Sequence, residues 1–159
     1  SFTRGAHIGR QGRDYNFVEI WWLVSPTVGT TATVTITASE NVTGLYGAFC
    51  TFSDVKQTST VDGTDVTDSG AASTDPQLVN ITTTTYGCLI VDALNGDNGS
   101  GSALNGQTNI GAGGSYRIVS DAGLYSVGRS EGIDNSFVHI VNAFKTATIP
   151  TSSGLMMII

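Results

Sequence analysis

The residues with the most chemistry per side chain are few and widely spaced. The run Gly128-Arg129-Ser130-Glu131-Gly132 matches the Gly-x-Ser-x-Gly spacing that lifts a nucleophilic serine onto a sharp turn. That turn works between a strand and a helix, with an acid and a histidine supplied elsewhere in the fold. No strand–helix pattern surrounds Ser130. The single downstream histidine, His139, sits inside a strand-like run with Phe137 and Val141 on its own face, so it is expected to be a satisfied, partly buried imidazole. His7 is the other imidazole, and no His-Glu-x-x-His or phosphate-cradling loop is present. Asp62, Asp65 and Asp68 crowd one polar stretch, and "NGDNGSG" over 95–101 is a second oxygen-rich segment. Hard cations such as calcium take six to eight oxygens. Neither segment has the closing bidentate glutamate of a helix–loop–helix calcium site, so solvated loops are expected and no cofactor is required, with calcium as the one candidate ion. Cys50 and Cys88 lie in apolar runs without a Cys-x-x-Cys pair. They read as buried thiols, or as a disulfide if their strands are neighbours. Asn41, Asn80 and Asn98 open Asn-x-Ser/Thr sequons, which matter only in a glycosylating source.

The elements around these residues read as strands. Apolar residues come in short alternating or continuous runs, bounded by Gly, Pro, Asn, Asp and Ser. The spacing predicts strands over 16–24, 30–38, 45–53, 77–84, 86–94, 115–120, 124–129, 136–145 and 154–159. "TTATVTITA" (30–38) alternates cleanly, with Ala32, Val34, Ile36 and Ala38 on one face and threonines on the other. "LYGAFCTFS" (45–53) and "YGCLIVDAL" (86–94) are apolar on both faces, as central strands are. Residues 54–76 read as a long acidic loop with room for a short strand. Residues 95–114 read as a Gly/Asn loop too flexible to be core. Eight or nine strands at near-regular spacing predict one all-β domain over 1–159, an antiparallel β-sandwich or jelly roll.

Trp21 and Trp22 are adjacent in such a strand, so they point to opposite faces. Val18, Ile20, Trp22 and Val24 form an apolar face assigned to the core. Phe17, Glu19, Trp21 and Leu23 form the other, which a second layer, a long loop or another subunit must cover.

Composition narrows the function classes. Only 13% of the 159 residues are charged, 20 are glycine, and the net charge is −6. Such a surface is solubilised by hydroxyls and amides, a pattern common in secreted, cell-surface and virion β-proteins. The negative balance argues against nucleic acid, whose phosphates need clustered Lys and Arg. Arg4, Arg10 and Arg13 are the one basic cluster, read as a solvated arm. No run approaches the roughly 20 apolar residues that span a bilayer, so membrane insertion is not expected. The chain opens on Ser1 with no recognisable signal peptide, as a processed or truncated product would.

"VEIWWLVSPTVGTTATVTITAS" followed by "GAFCTFSDVKQT" resembles β-sandwich domains of phage and other virion structural proteins and of bacterial and archaeal surface proteins. The resemblance covers roughly residues 17–58, with weaker support from "CLIVDAL" and the last strands. Such domains carry one or two strands before the aromatic strand, where this chain has "SFTRGAHIGRQGRD", which does not read as strand. The resemblance therefore implies a sandwich lacking its N-terminal strands, with a slot that a neighbouring subunit's strand can fill. The C-terminal "GLMMII" is one donor, though a place in its own sheet is the simpler expectation.

Together these readings point to a non-enzymatic structural subunit of an extracellular filament or virion (capsid, decoration, tail or fibre). It would bind copies of itself or other assembly subunits through strand faces and edges, with Phe17, Trp21, Leu23, Leu155, Met156, Met157 and Ile158 at the interface. The alternative is a carbohydrate-binding or adhesin-type module that meets a cell-surface glycan through loop aromatics, Tyr116 and Tyr125.

Overall fold

A computed structural model describes residues 1–9, 17–25, 33–39, 41–63, 66–70, 77–96, 101–130, 137–147 and 154–158. Among them lie eleven strands and no helix: β1 (Thr3–Gly9), β2 (Phe17–Leu23), β3 (Ala48–Phe52), β4 (Val66–Gly70), β5 (Gln77–Thr83), β6 (Cys88–Gly96), β7 (Thr108–Gly111), β8 (Gly114–Val119), β9 (Gly123–Arg129), β10 (Phe137–Lys145) and β11 (Gly154–Ile158). For β4 and β11 only the backbone is described. The chain is all-β, and every pairing is antiparallel.

Three layers result. A four-stranded sheet runs β1-β2-β11-β3, a five-stranded sheet runs β4-β10-β6-β8-β7, and β5 and β9 form a two-stranded ribbon. The first two make the sandwich. Ala6, Val18 and Ile20 of the four-stranded sheet pack on Leu89, Val91, Ala93, Val138, Ile140 and Phe144 of the five-stranded one. Trp22 meets Phe144 edge-on at 5.2 Å, the geometry aromatic pairs prefer. The ribbon closes the other face of the central sheet, setting Val79, Ile81 and Val127 against Cys88, Ile90, Val119, Val141 and Ala143. Each large aliphatic side chain fully buried this way contributes about 1.5–3 kcal/mol.

This layering explains the continuous apolar runs. β6 and β10 are the middle strands and are buried on both faces almost throughout. The ribbon strand β5 alternates strictly, with Leu78, Asn80 and Thr82 outward. The doubly covered sheet is thus that of β6 and β10. The double-tryptophan strand, expected to lie in a sheet covered on both sides, has only its Val18–Ile20–Trp22 face in the core, and no described strand packs over its Trp21 face.

Four expectations change. Residues 3–9 do form a strand, pairing with β2 in the slot expected to be empty, while β11 keeps the place in its own sheet that was the simpler expectation, between β2 and β3. β1 was hard to read because Gly5 and Gly9 carry no side chain to mark a face. Gly5 is required there, since a Cβ would stand 2.2 Å from the Trp22 ring. Residues 33–38 belong to no strand, although burial still alternates, with Val34 and Ile36 half-buried between exposed threonines. Alternation specifies a face but not a partner. β3 is an edge strand shorter than the 45–53 run, with Phe49 half-exposed and Tyr46 lying outside it at 80% exposure. Finally, the 95–114 segment contains β7 and a docked turn rather than loop alone.

Candidate functional site

Polar side chains with no path to water are the unusual feature of the molecule. On the ribbon-facing side of the central sheet, Asp92 of β6, Ser115 of β8, His139 of β10 and Arg129 of β9 are all buried. Asp92 and Ser115 are direct cross-strand partners, so one face carries both. The Ser115 hydroxyl donates to Asp92 Oδ1. His139 Nε2 meets Asp92 Oδ2 at 3.0 Å.

Gln107 completes the cluster from the segment expected to be a free loop. Leu104-Asn105-Gly106-Gln107 is a tight turn closed by Gln107 N–H to the Leu104 carbonyl at 3.0 Å. Asn105 and Gly106 both have positive φ, 54° and 74°, as the Asn-Gly signature of such turns requires. The turn is pinned to β9, with Leu104 N–H donating to the Gly128 carbonyl at 3.0 Å and Asn105 Nδ2 to the Ser126 carbonyl at 3.0 Å. Half-buried Gln107 is thereby driven inward. Its Nε2 donates to Asp92 Oδ1 at 2.8 Å and to Ser115 Oγ at 2.5 Å, and its Oε1 accepts from Gly128 N–H at 2.7 Å.

Arg129 supplies the countercharge. Its guanidinium donates to Asn109 Oδ1 and to the Gly113 carbonyl. Burial pushes its pKa down while the Asp92 carboxylate pushes it back up. Among the described residues two buried side-chain atoms have no hydrogen-bond partner, Arg129 Nε and His139 Nδ1. The tautomer that donates from Nε2 to Asp92 puts a lone pair at Nδ1, which is cheaper to strand than an N–H.

The order of contacts limits the chemistry. A hydrolase triad sets histidine between carboxylate and serine. Here the carboxylate lies between, so His139 cannot take the Ser115 proton, whereas Asp92 can. Ser130, the serine of the Gly-x-Ser-x-Gly run, is exposed at the end of β9. It exchanges hydrogen bonds with Ser102. The cluster escaped the sequence reading because its members come from four strands and a turn. The one available signal was an aspartate in the middle of the doubly apolar run "CLIVDAL".

Asp62 has a different role from the one expected. Segment 54–63 crosses the end of β10, with bridges Val55–Thr146 and Val61–Phe144. That crossing buries Asp62. Its carboxylate accepts from Thr84 N–H at 2.7 Å, Thr84 Oγ1 at 2.7 Å, Thr85 N–H at 3.3 Å and Cys88 Sγ at 3.2 Å. Those donors leave little of the carboxylate for a cation. Asp65 lies outside the described residues, and Asp68 is placed by backbone alone, as the β4 partner of His139. Burial would raise the Asp62 pKa, but these donors outweigh it and hold it at about 2. A depressed folded pKa gives stability that is complete above the unfolded value and lost as pH falls toward the folded one. Asp62→Asn is therefore expected to flatten the loss of stability between about pH 4 and pH 2, on the order of 1 kcal/mol. Urea midpoints across that range check it, and parallel acid limbs for both proteins would contradict it.

The two cysteines are free. Cys50 packs on the core between the two large sheets, whereas Cys88 faces the ribbon, so the central sheet separates them and no disulfide can form. Burial pushes the Cys50 thiol up to about 11 and raises Cys88 as well, so both stay protonated and unreactive at neutral pH.

Tyr116 and Tyr125 do not form a common platform. Tyr116 is half-buried edge-on to Phe52 at 5.0 Å in the sandwich. Tyr125 packs on the ribbon core, donates its hydroxyl to the Asp121 carbonyl at 2.7 Å and lies under Arg117. Among the described residues the largely exposed tyrosines are instead Tyr46 and Tyr86, both 80% exposed. Of the sequons, Asn41 and Asn80 are exposed and Asn98 lies outside the described residues.

The expected interface residues divide. Phe17, Glu19, Trp21 and Leu23 line the outer face of the four-stranded sheet. Register aligns Met157 with Trp21 and Phe49, and Leu155 with Leu23 and Thr51. Met156 and Ile158 instead occupy the rows of Trp22 and Ile20, whose side chains pack in the core. On the outer face Trp21 Nε1 donates to Glu19 Oε2 at 2.6 Å, and Arg4 pairs with Glu19 Oε1 at 3.2 Å and stacks 5.9 Å from the Trp21 ring. No described helix is long and apolar enough to cross a membrane. Comparison of the chain with protein-family models, with curated proteins and with solved structures gives no match.

Proposed function

We propose that this protein is a non-enzymatic structural subunit of an extracellular or virion assembly, associating with copies of itself. The observation that carries the reading is the outer face of the four-stranded sheet. There Phe17 and Phe49 are about half exposed beside Trp21 and Leu23, and no described strand covers them. Isolated exposed apolar residues are ordinary, but a contiguous row on one sheet face marks an association surface. A second copy suits this face because it carries both members of an ion pair, Arg4 and Glu19. The pair is closed within each chain, so two copies of the patch can meet about a two-fold axis without like-charge repulsion.

Four strands spaced about 4.8 Å apart and about six residues long give a face of roughly 400 Å² in projection. Stable pairs bury about 800 Å² on each side, so more contact must come from elsewhere. The unpaired, alternating 33–38 segment and exposed Val42, Leu45 and Tyr46 are suited to supply it by adding a strand to a neighbour's edge.

Light scattering and sedimentation test this. The wild-type chain is expected to be oligomeric at micromolar concentration, and Phe49→Glu, at a half-exposed position of β3, to shift it to a folded monomer. A wild-type chain that stays monomeric at the highest soluble concentration would overturn the reading.

A further inference from the structure

We propose that Ser115 and Gln107 join through an intramolecular ester bond, formed by the protein itself with Asp92 as the proton carrier. This inference is independent of the assembly reading and rests on the geometry of the buried cluster.

Three requirements of acyl transfer meet there. The nucleophile is Ser115 Oγ, held against the Gln107 carboxamide by a hydrogen bond that it accepts from Nε2 at 2.5 Å. The base is Asp92 Oδ1, which accepts the Ser115 hydroxyl and also lies 2.8 Å from Gln107 Nε2, so one oxygen touches both the proton to be removed and the atom that must leave with it. The oxyanion donor is Gly128 N–H, 2.7 Å from Gln107 Oε1. Preorganised donors of this kind are the largest single contribution in many acyl transfers. Asp92 Oδ2 is taken by His139, which leaves Oδ1 for the reacting pair.

The reaction balances without any outside reagent. Asp92 takes the Ser115 proton as Oγ attacks Gln107 Cδ, and negative charge develops on Oε1 facing Gly128 N–H. The tetrahedral centre then breaks its Cδ–Nε2 bond. Asp92 returns the proton to the departing nitrogen, which leaves as ammonia. Hydroxyl and carboxamide become ester and ammonia, and Asp92 ends as it began. Gln107 is half-buried, which gives ammonia a way out, and its protonation in dilute solvent draws the step forward. Ser115 has no exposed surface, which keeps water from the product ester. The bond ties the turn before β7 to β8, holding the edge of the central sheet.

Intact-mass measurement of the denatured wild-type protein is the test. Its mass is expected to fall short of the sequence mass by one ammonia, while Ser115→Ala and Gln107→Leu each show their full mass. Cleavage after Lys56 and Arg117 leaves both residues in one peptide. In that peptide, backbone fragmentation should yield no ions dividing the 107–115 ring. Asn-Gly sites such as Asn95-Gly96 can also lose ammonia by cyclising, but that loss would persist in Ser115→Ala. A wild-type mass equal to the sequence mass overturns the proposal, as does a deficit retained in Ser115→Ala. Should a variant fail to fold, the wild-type peptide map decides: ions dividing the 107–115 ring overturn the proposal, and a deficit without such ions supports it.

Discussion

Asp92→Ala is expected to lower stability by about 3–5 kcal/mol, because several buried groups lose an acceptor at once and nearby Arg129 loses the charge that favours its own. In the unlinked chain, which is the state an Asp92→Ala protein keeps for want of its proton carrier, three groups lose their acceptor together. The Ser115 hydroxyl and His139 Nε2 lose their only partner on that carboxylate, and Gln107 Nε2 loses one of two. Arg129 is then left as a buried guanidinium without the carboxylate that favours its charged form. For a domain of this size the melting temperature should drop by about 10 °C. Much of the loss comes from uncompensated Arg129, so Arg129→Met in the Asp92→Ala background should recover part of it. Arg129→Met alone should be destabilising. A double-mutant cycle by urea denaturation measures that coupling. Additive effects, or a loss below about 1 kcal/mol for Asp92→Ala, would mean that the cluster is not the electrostatic centre described above.

Gly128→Ala should cost about 3 kcal/mol or more, because two penalties coincide. A Cβ at this position would stand 1.8 Å from the Gln77 carbonyl oxygen and 3.0 Å from Leu78 Cα. Those are backbone atoms of the paired strand β5 and cannot swing aside as a side chain end could. The backbone φ of +155° is also one that residues with a side chain rarely adopt. Relief requires moving β9 away from β5, and that displaces Gly128 N–H from Gln107 and the Gly128 carbonyl from Leu104. The ribbon would loosen over the second core, and the Asn105–Gly106 turn would lose its anchor. Gly106→Ala is the matched comparison, since its φ is also positive but a Cβ there meets nothing within 4 Å. It should cost only about 1 kcal/mol, the intrinsic penalty of the left-handed region. Equal denaturation midpoints for the two variants would refute the steric argument.

These two positions show how unevenly the sequence discloses the molecule. Asp92 could be noticed as a charge inside an apolar run, but its partners could not. Gln107 lies 15 residues away in a Gly/Asn segment, and His139 lies 47 residues away in another strand. Gly128 was visible as half of a Gly-x-Ser-x-Gly spacing, which drew attention to Ser130, whereas the backbone of the glycine itself is what the fold uses.

By itself the sequence determined the all-β class, most of the strands and the burial of the 86–94 run on both faces, whereas the equally apolar 45–53 run lies at a sheet edge. Those follow from local period and local composition, since a strand's two faces are written in alternate residues. The order of strands, the third layer, the β1 strand and the failure of 33–38 to pair were decided by tertiary structure alone. A period of two says which side of a strand is apolar but not which strand lies beside it. Gly5 and Gly9 give no period to read, and Thr33–Ala38 give a clear one without a partner. The buried cluster belongs to the same class of fact, because Asp92, Gln107, Ser115 and His139 meet only after the central sheet has formed and β9 has closed over it.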